Sequence, residues 1–398
     1  MTSEITAGLK ANHSMKLVYT KKVTGCGKVT KYGVKRNVEY GDNSVTIYIV
    51  DIEAVDTRYT KQWKDCLPKQ LEAALKIPIH TISGGDTPQT TTPGAFLNFG
   101  GTNVYKSKQQ EYIANLFCEN KIKNGDYFLY TDAWNPTVIQ LKYMAELLGK
   151  KIRIGGLWHA GSYDPHDFLG RLIGAAPWAR HAEMSMYECY DDNFFATEFH
   201  IDLFTKTFWT DSQEVDKQKL HKIKRVGWPM EYLKDSMFGC RGIPKQNIIV
   251  FAHRLAPEKQ HDIFLDLKES LPQYKFITCQ EKQLTKKQYH ELLGKAKIVF
   301  SANLQETLGI SWYEGLIVDC IPMVPDRLSY KEMAQDDFKY PSAWTASFEA
   351  YKEHKISLME RILHFIENYT SYKAQIIEQR EFLENKFFSG TRLYNALK

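Results

Sequence analysis

Short apolar runs alternate with helical stretches along this chain, in two separate blocks. In the first block "SVTIYIVDIE" (44–53) is followed by a helical stretch around "KQWKDCLPKQLEAALK", the strand "IPIHTIS", a loop, the helix "KQQEYIANLFCEN", the strand "DYFLYT", the helix "TVIQLKYMAELLG" and the strand "KIRIGGLW". The second block runs "NIIVFAH" (247–253), a helix through "KQHDIFLDLKES", "KFITC" (275–279), a helix to Ala296, "KIVFSA" (297–302), a helix from about Ser311, and "IPMVP" (321–325). A strand can lie parallel to its predecessor only after a crossover, and a helix is the usual crossover. The pattern therefore predicts two parallel sheets, each with its own helices. The stretch 224–246, with Gly227, Pro229, Gly239, Gly242 and Pro244, is expected to connect them.

A chain of 398 residues exceeds one ordinary core, and two domains of roughly 150 to 200 residues follow from that length. The expected division is a tail or appended remnant over 1–14, a first domain over 15–228, a second over 229–365, and a C-terminal helical segment over 366–398 that packs back on the first. Ahead of the first core strand, "KLVYT" and "NVEY" around glycine-containing turns predict a β-hairpin. The last strong helical segment spans about 356–386. Residues 83–101, "SGGDTPQTTTPGAFLNFGG", form the longest expected loop outside the connection, and a loop of that length in a compact domain is functional or mobile.

Hydrophobic residues at 43% and charged residues at 25% exclude a disordered chain. The net charge of +5 permits a polyanionic partner without requiring one. Seven scattered cysteines with no Cys-x-x-Cys pair read as reduced cytosolic thiols. There is no apolar run long enough for a membrane helix and no apolar core of a signal peptide, so a soluble intracellular protein is expected. The sequence sets no oligomeric state.

Parallel sheets bind ligands at the carboxyl ends of their strands. In the second block "NIIVFAHRLAPEKQ" delivers Arg254 and Lys259 after a strand and at the opening of a helix. Two cations beside a helix N-terminus suit a diphosphate, although a solvated surface pair would read the same. Farther on, "NLQETLGISWYEGLIVDCIPMVP" places Glu306 and Glu314 among bulky apolar residues. Buried carboxylates need partners. Ser311 and Glu314 have capping-box spacing, which would account for Glu314 alone. It leaves Glu306 unexplained, together with Thr307, Leu308 and Gly309, whose backbone amides would be free where the helix begins. Carboxylates accept hydrogen bonds from sugar or ribose hydroxyls, and amides can hold phosphates between them.

This segment resembles the signature of retaining GT-B glycosyltransferases: two glutamates eight apart around a glycine, a Pro-containing strand like "CIPMVP", and an Arg and Lys pair upstream like that in "HRLAPEK". The resemblance covers most of the chain from about residue 45. It implies two Rossmann-like domains facing a cleft, the hairpin being an N-terminal extension, with the acceptor on the first domain and a nucleotide sugar on the second. By that resemblance Arg254 and Lys259 bind the donor diphosphate, Glu306 faces the donor sugar, Glu314 binds the ribose, and Thr307, Leu308 and Gly309 belong to the donor site. "GLIVDC" follows Glu314 where many relatives carry a small residue and glycines, which leaves the nucleotide preference open.

In the first domain "LYTDAWNP" puts Asp132 and Trp134 at a strand end, and "GGLWHAGSYDPHDF" puts His159, Ser162 and Asp164 at the next. A histidine follows the equivalent strand in many relatives, so His159 is the candidate for contact with the reacting sugar, with Asp132 and Asp164 beside it as catalytic candidates; a lone histidine is otherwise a structural one. "DPHD" and "YDDN" lack convincing metal spacing, and neither a metal nor a cofactor beyond a nucleotide-sugar co-substrate, a UDP-sugar of glucose or arabinose, is expected. "GGLWHAGSYDPHDFLGRLIG" and "VPDRLSYKEM" are similar to glycosyltransferases of tailed phages. That likeness implies double-stranded DNA carrying 5-hydroxymethylcytosine as the acceptor, in the cytoplasm of an infected bacterium, with the basic stretch 28–36 as a candidate DNA face and extrusion of the base into the cleft. A surface polysaccharide, a small metabolite, or a GT-B-shaped binding protein without turnover are the alternatives.

Overall fold

The computed structural model describes residues 44–56, 58–92, 95–209 and 220–398, together with two strands at 15–20 and 33–38. Those strands, β1 (Met15–Thr20) and β2 (Gly33–Val38), pair antiparallel with Met15 opposite Val38, which is the expected hairpin. The tail 1–14 and residues 28–32 of the basic stretch lie outside the described residues, and of 33–36 only the strand is described.

The first sheet is six-stranded and wholly parallel: β3 (Ile47–Val50), β4 (Ile79–Ile82), β5 (Tyr127–Tyr130), β6 (Arg153–Leu157), β7 (Asp192–Phe195) and β8 (Ile223–Arg225) lie in the order β4-β3-β5-β6-β7-β8. Ile47 and Ile49 enter one buried cluster with Trp63 and Leu67, while Tyr48 and Val50 enter another with Phe128 and Tyr130. A strand covered on both faces has no polar side, so it reads as a continuous apolar run. The short β7 and β8 were not anticipated. The "YDDN" stretch (190–193) leads into β7, where buried Asp192 accepts from Tyr127 at 2.8 Å and pairs with Arg153 at 2.7 Å and Lys224 at 2.6 Å.

Around this sheet lie α1 (Tyr59–Leu75), α2 (Phe99–Cys118), α3 (Thr137–Leu147), α4 (Phe168–Ile173), α5 (Pro177–Cys189) and α6 (Glu198–Phe208). The expected loop over 83–101 ends at Asn98, whose side chain caps α2 by accepting from the Gly101 amide at 2.8 Å.

The second sheet has the order β10-β9-β11-β12-β13, again parallel, from β9 (Gln246–Phe251), β10 (Lys275–Thr278), β11 (Ala296–Phe300), β12 (Ile321–Pro325) and β13 (Lys339–Tyr340). Its helices are α7 (Tyr232–Met237), α8 (His261–Ser270), α9 (Lys286–Lys295), α10 (Ile310–Ile317), α11 (Tyr330–Met333), α12 (Phe348–Glu367) and α13 (Lys373–Lys386), and α14 (Thr391–Ala396) closes the chain. Each sheet starts in its interior: β3 has β4 on one side and β5 on the other, and β9 lies between β10 and β11. Successive strands are therefore added on opposite sides of these two, and a crevice opens at their carboxyl ends.

The helix expected over 356–386 is two helices, α12 and α13, separated by a short 3-10 turn after Asn368. α13 stays with the second sheet, where Arg380 pairs with Asp319 at 2.6 Å and Gln379 donates to the Met333 carbonyl at 2.8 Å. The return toward the first domain comes after it. The Trp228 amide donates to the Phe387 carbonyl at 2.8 Å, and α14 lies against α1. At Gly227 φ is +74°, and a Cβ there would stand 2.8 Å from that carbonyl oxygen, so the crossing needs glycine.

Candidate active site

Beyond β9 the chain runs through Arg254 into a 3-10 turn (Pro257–Lys259) and α8, and beyond β11 it runs from Ser301 to Gly309 before α10. These two segments line a cavity of about 570 Å³ that includes Arg254, Lys259, Glu306 and Glu314, with Arg58 and Gln89 from the first domain. Buried Lys259 donates to the Gln305 carbonyl at 2.5 Å and lies 3.5 Å from the Glu306 carboxylate. Arg254 donates to Glu258, which also binds Arg171 at 2.7 Å. Glu258 is only 3% exposed, and two guanidinium groups supply the partners that such burial demands. Because Arg171 belongs to α4, this carboxylate both fixes Arg254 and ties the domains together. Sequence reasoning passed over Glu258; its spacing of four from Arg254 inside "RLAPEK" was the available signal.

The capping box is not formed. α10 begins at Ile310, with Gly309 at φ +81° as its N-cap, so Ser311 already lies inside the helix. Glu314 instead turns toward α9, where it accepts from Lys286 at 2.6 Å and Tyr289 at 2.8 Å, with His290 3.6 Å away. Burial by itself would raise its pKa, but Lys286 and His290 outweigh burial and hold the carboxyl at about 2. Glu306 is less enclosed, held by Lys259 and by Asn303 at 3.3 Å. The backbone amides of Thr307, Leu308 and Gly309 meet no acceptor among the described residues. The Thr307 side chain is already engaged across the cleft, donating to the His159 carbonyl at 2.9 Å, while its own carbonyl accepts from Thr197 at 2.8 Å.

A smaller cavity of about 190 Å³ adjoins the first and shares Arg58, Tyr59 and Arg254 with it; Asp132, Trp134 and His159 are among its other walls. The His159 ring donates from Nε2 to the Thr131 carbonyl at 2.7 Å and accepts at Nδ1 from Tyr59 at 2.9 Å. Burial lowers its pKa, against the pull of Asp132. The ring is neutral, packed between Trp63 and Trp228, and both nitrogens are occupied. Asp132 accepts from the Trp134 amide at 3.1 Å and lies 3.8 Å from Lys106. Asp164 lines neither cavity; it accepts from the His166 amide at 3.0 Å and shapes its own turn. The carboxylate that reaches the small cavity from this loop is Asp167, the N-cap of α4, whose pKa burial raises to about 6. Ser162 is bound to buried Glu183 at 2.8 Å, which also receives the Trp134 indole at 2.8 Å.

No family model matches the sequence, and no curated protein matches it. Solved structures do resemble the fold. Sucrose-phosphate synthase from Thermosynechococcus elongatus superimposes with a TM-score of 0.58 at 9% identity, over 89% of this chain and 99% of its own. The fold is GT-B. The same GT-B arrangement relates the chain to the lipopolysaccharide outer core galactosyltransferase WaaB, with a TM-score of 0.54, 9% identity and coverage of 89% and 99%, and to Anabaena HepE, solved with UDP and glucose, with 0.51, 11% and coverage of 89% and 98%. Four other solved chains, of which this one spans only 56–60%, superimpose with TM-scores of 0.43–0.49. Within the GT-B frame the two cavities lie between the sheets, where the crevice residues converge. Among the described residues no helix is long and apolar enough to cross a membrane, and no group of three or more His, Cys, Asp or Glu side chains gathers as a metal site.

Proposed function

We propose that this chain is a retaining glycosyltransferase that moves a sugar from a nucleoside-diphosphate donor, a UDP-sugar carrying glucose or arabinose, to an acceptor hydroxyl. The observation that carries the reading is the convergence of Arg254 and Lys259 with Glu306 and the unoccupied amides of 307–309 in one cavity at the carboxyl ends of β9 and β11. Cations and amides suit the diphosphate, and Glu306 suits sugar hydroxyls. HepE, which was solved with UDP and glucose, supports the donor class.

As the bond from the anomeric carbon to the phosphate oxygen breaks, its electron pair stays on the diphosphate, where Arg254 and Lys259 stabilise the growing charge. The acceptor oxygen attacks from the same face, and its proton passes to the departing phosphate oxygen. On this reading Glu306, held by Lys259 and Asn303, binds sugar hydroxyls and forms no covalent intermediate. His159, neutral and hydrogen-bonded at both nitrogens, would pack against the sugar without exchanging a proton.

For the acceptor we propose 5-hydroxymethylcytosine in DNA, on the resemblance to phage enzymes and the excess of five positive charges; none of the structural likenesses points to DNA. A cavity of about 190 Å³ would admit the base only after extrusion from the duplex. The likeness to WaaB favours a second reading, a surface-polysaccharide acceptor. Incubating the protein with a panel of nucleotide sugars and with plain DNA, hydroxymethylated DNA or oligosaccharides, then weighing the products, tests both. Mass gained by hydroxymethylated nucleosides supports the first reading, and mass gained by oligosaccharides supports the second. A protein that binds nucleotide sugars but neither transfers nor hydrolyses them is a binding protein.

A further inference from the structure

Arg58 follows the carboxyl end of β3 and immediately precedes α1, and it lies on the wall that the two cavities share. Its guanidinium donates from Nη2 to the Ala95 carbonyl at 3.4 Å, and among the described residues it makes no other hydrogen bond and no ion pair. Arg254, on the same wall, uses Nη2 on Glu258 and keeps Nη1 buried without a hydrogen-bond partner among the described residues. Arg254 shares Glu258 with Arg171 and Arg58 has no ion-pair partner among the described residues, so the two guanidinium groups repel one another, more strongly as water is excluded. Burial, and after it the charge of Arg254, pull the Arg58 pKa down to about 10, which leaves it charged at neutral pH. The first turn of α1 contains no acidic residue, so the positive end of that helix adds to the field. An anion seated between the two arginines would relieve all three terms.

We infer that Arg58 is a ligand of the donor diphosphate contributed by the first domain, so that the anion joins the domains through Arg58 on one side and Arg254 and Lys259 on the other. The inference rests on the donor reading given above. It adds a residue at the junction of the cavities, where the phosphate oxygen of the breaking bond would lie. Transfer would then depend on the first domain for stabilising the leaving group as well as for holding the acceptor.

The test compares Arg58→Gln, Arg58→Lys and Arg254→Gln with the wild-type chain by calorimetric affinity for UDP and UMP, with ADP/AMP and GDP/GMP as further pairs, and by the melting temperature of the ligand-free protein. Arg58→Gln should weaken UDP by about tenfold or more and UMP by less than about threefold. Lysine should recover part of the loss, and the ligand-free glutamine variant should melt at or above the wild-type temperature because a repulsive charge is gone. A lowered melting temperature with equal losses for UDP and UMP would make Arg58 a structural residue and overturn the inference. Unchanged UDP affinity in Arg58→Gln beside a large loss in Arg254→Gln would also overturn it, while leaving the donor reading intact. If Arg254→Gln keeps the wild-type preference for diphosphate over monophosphate, or no nucleotide binds, the donor site is misassigned and the inference falls with it.

Discussion

Glu314 and Glu306 stand eight positions apart and serve different ends. Glu314 is buried with its ion-pair partners, its pKa depressed from 4.5 to about 2. A depressed carboxyl contributes stability above its unfolded value and loses it as pH falls toward the folded one, so here the loss begins near pH 4.5 and continues toward 2. Glu314→Gln should cost roughly 3 kcal/mol at pH 7, and urea melts from pH 6 down to pH 3 should show the gap to the wild type narrowing below pH 4.5. A gap that is flat with pH would remove the ion pair from the account. Glu306→Ala should reduce turnover by about a hundredfold or more while the melting temperature moves by about 2 °C or less; its side chain is 17% exposed and contributes little to the core. Full activity in that variant would take Glu306 out of the donor site. His159→Ala should lower turnover without shifting the pH profile, since the ring is neutral and both nitrogens are engaged. A displaced acid limb would show that the ring exchanges a proton with substrate.

Elements set these residues in place. Gly309 joins the segment after β11 to α10 at φ +81°, and an added methyl would meet the Trp312 ring at 2.6 Å. Gly309→Ala should destabilise the loop by about 1–3 kcal/mol and weaken nucleotide binding several-fold, because the amides of 307–309 shift with it. Binding at wild-type affinity would show that those amides hold nothing. Glu258→Gln should reduce turnover by about tenfold or more through Arg254, and lower the melting temperature as well, since it leaves two arginines with a weak acceptor. Legibility in the sequence varied between elements for local reasons. "IPMVP" matches β12 residue for residue, because a wholly buried strand has a clear composition and end. The start of α2 was hidden, because Gly100 and Gly101 argue against a helix by propensity while the Asn98 cap outweighs them.

For the whole molecule, the donor is expected to bridge both domains. Nucleoside diphosphate should therefore raise the melting temperature, and turnover should survive EDTA if, as proposed, Arg254 and Lys259 neutralise the diphosphate. Loss of activity that magnesium or manganese restores would mean that a metal takes part. If hydroxymethylated DNA is the acceptor, duplex affinity should fall steeply between about 50 and about 200 mM salt as counterions are released. No binding at low salt would remove DNA and leave glycosyl transfer standing.

The order of strands and helices already determines two parallel sheets with ligand sites at strand carboxyl ends, because strand periodicity and crossover geometry are local properties. Residues that follow strands β9 and β11, namely Arg254, Lys259 and Glu306, could be named from the same pattern. Their partners could not. Glu314 pairs with Lys286 across 28 positions, Glu258 with Arg171 across 87, and Arg58 approaches Arg254 from another domain. An ion pair depends on separation in space and on how much water is excluded, and neither quantity exists until the helices have packed. Only the tertiary structure decided, therefore, that Glu314 leaves its own helix cap for α9, that Asp167 rather than Asp164 reaches the cleft, and that Arg58 stands there with no ion-pair partner among the described residues.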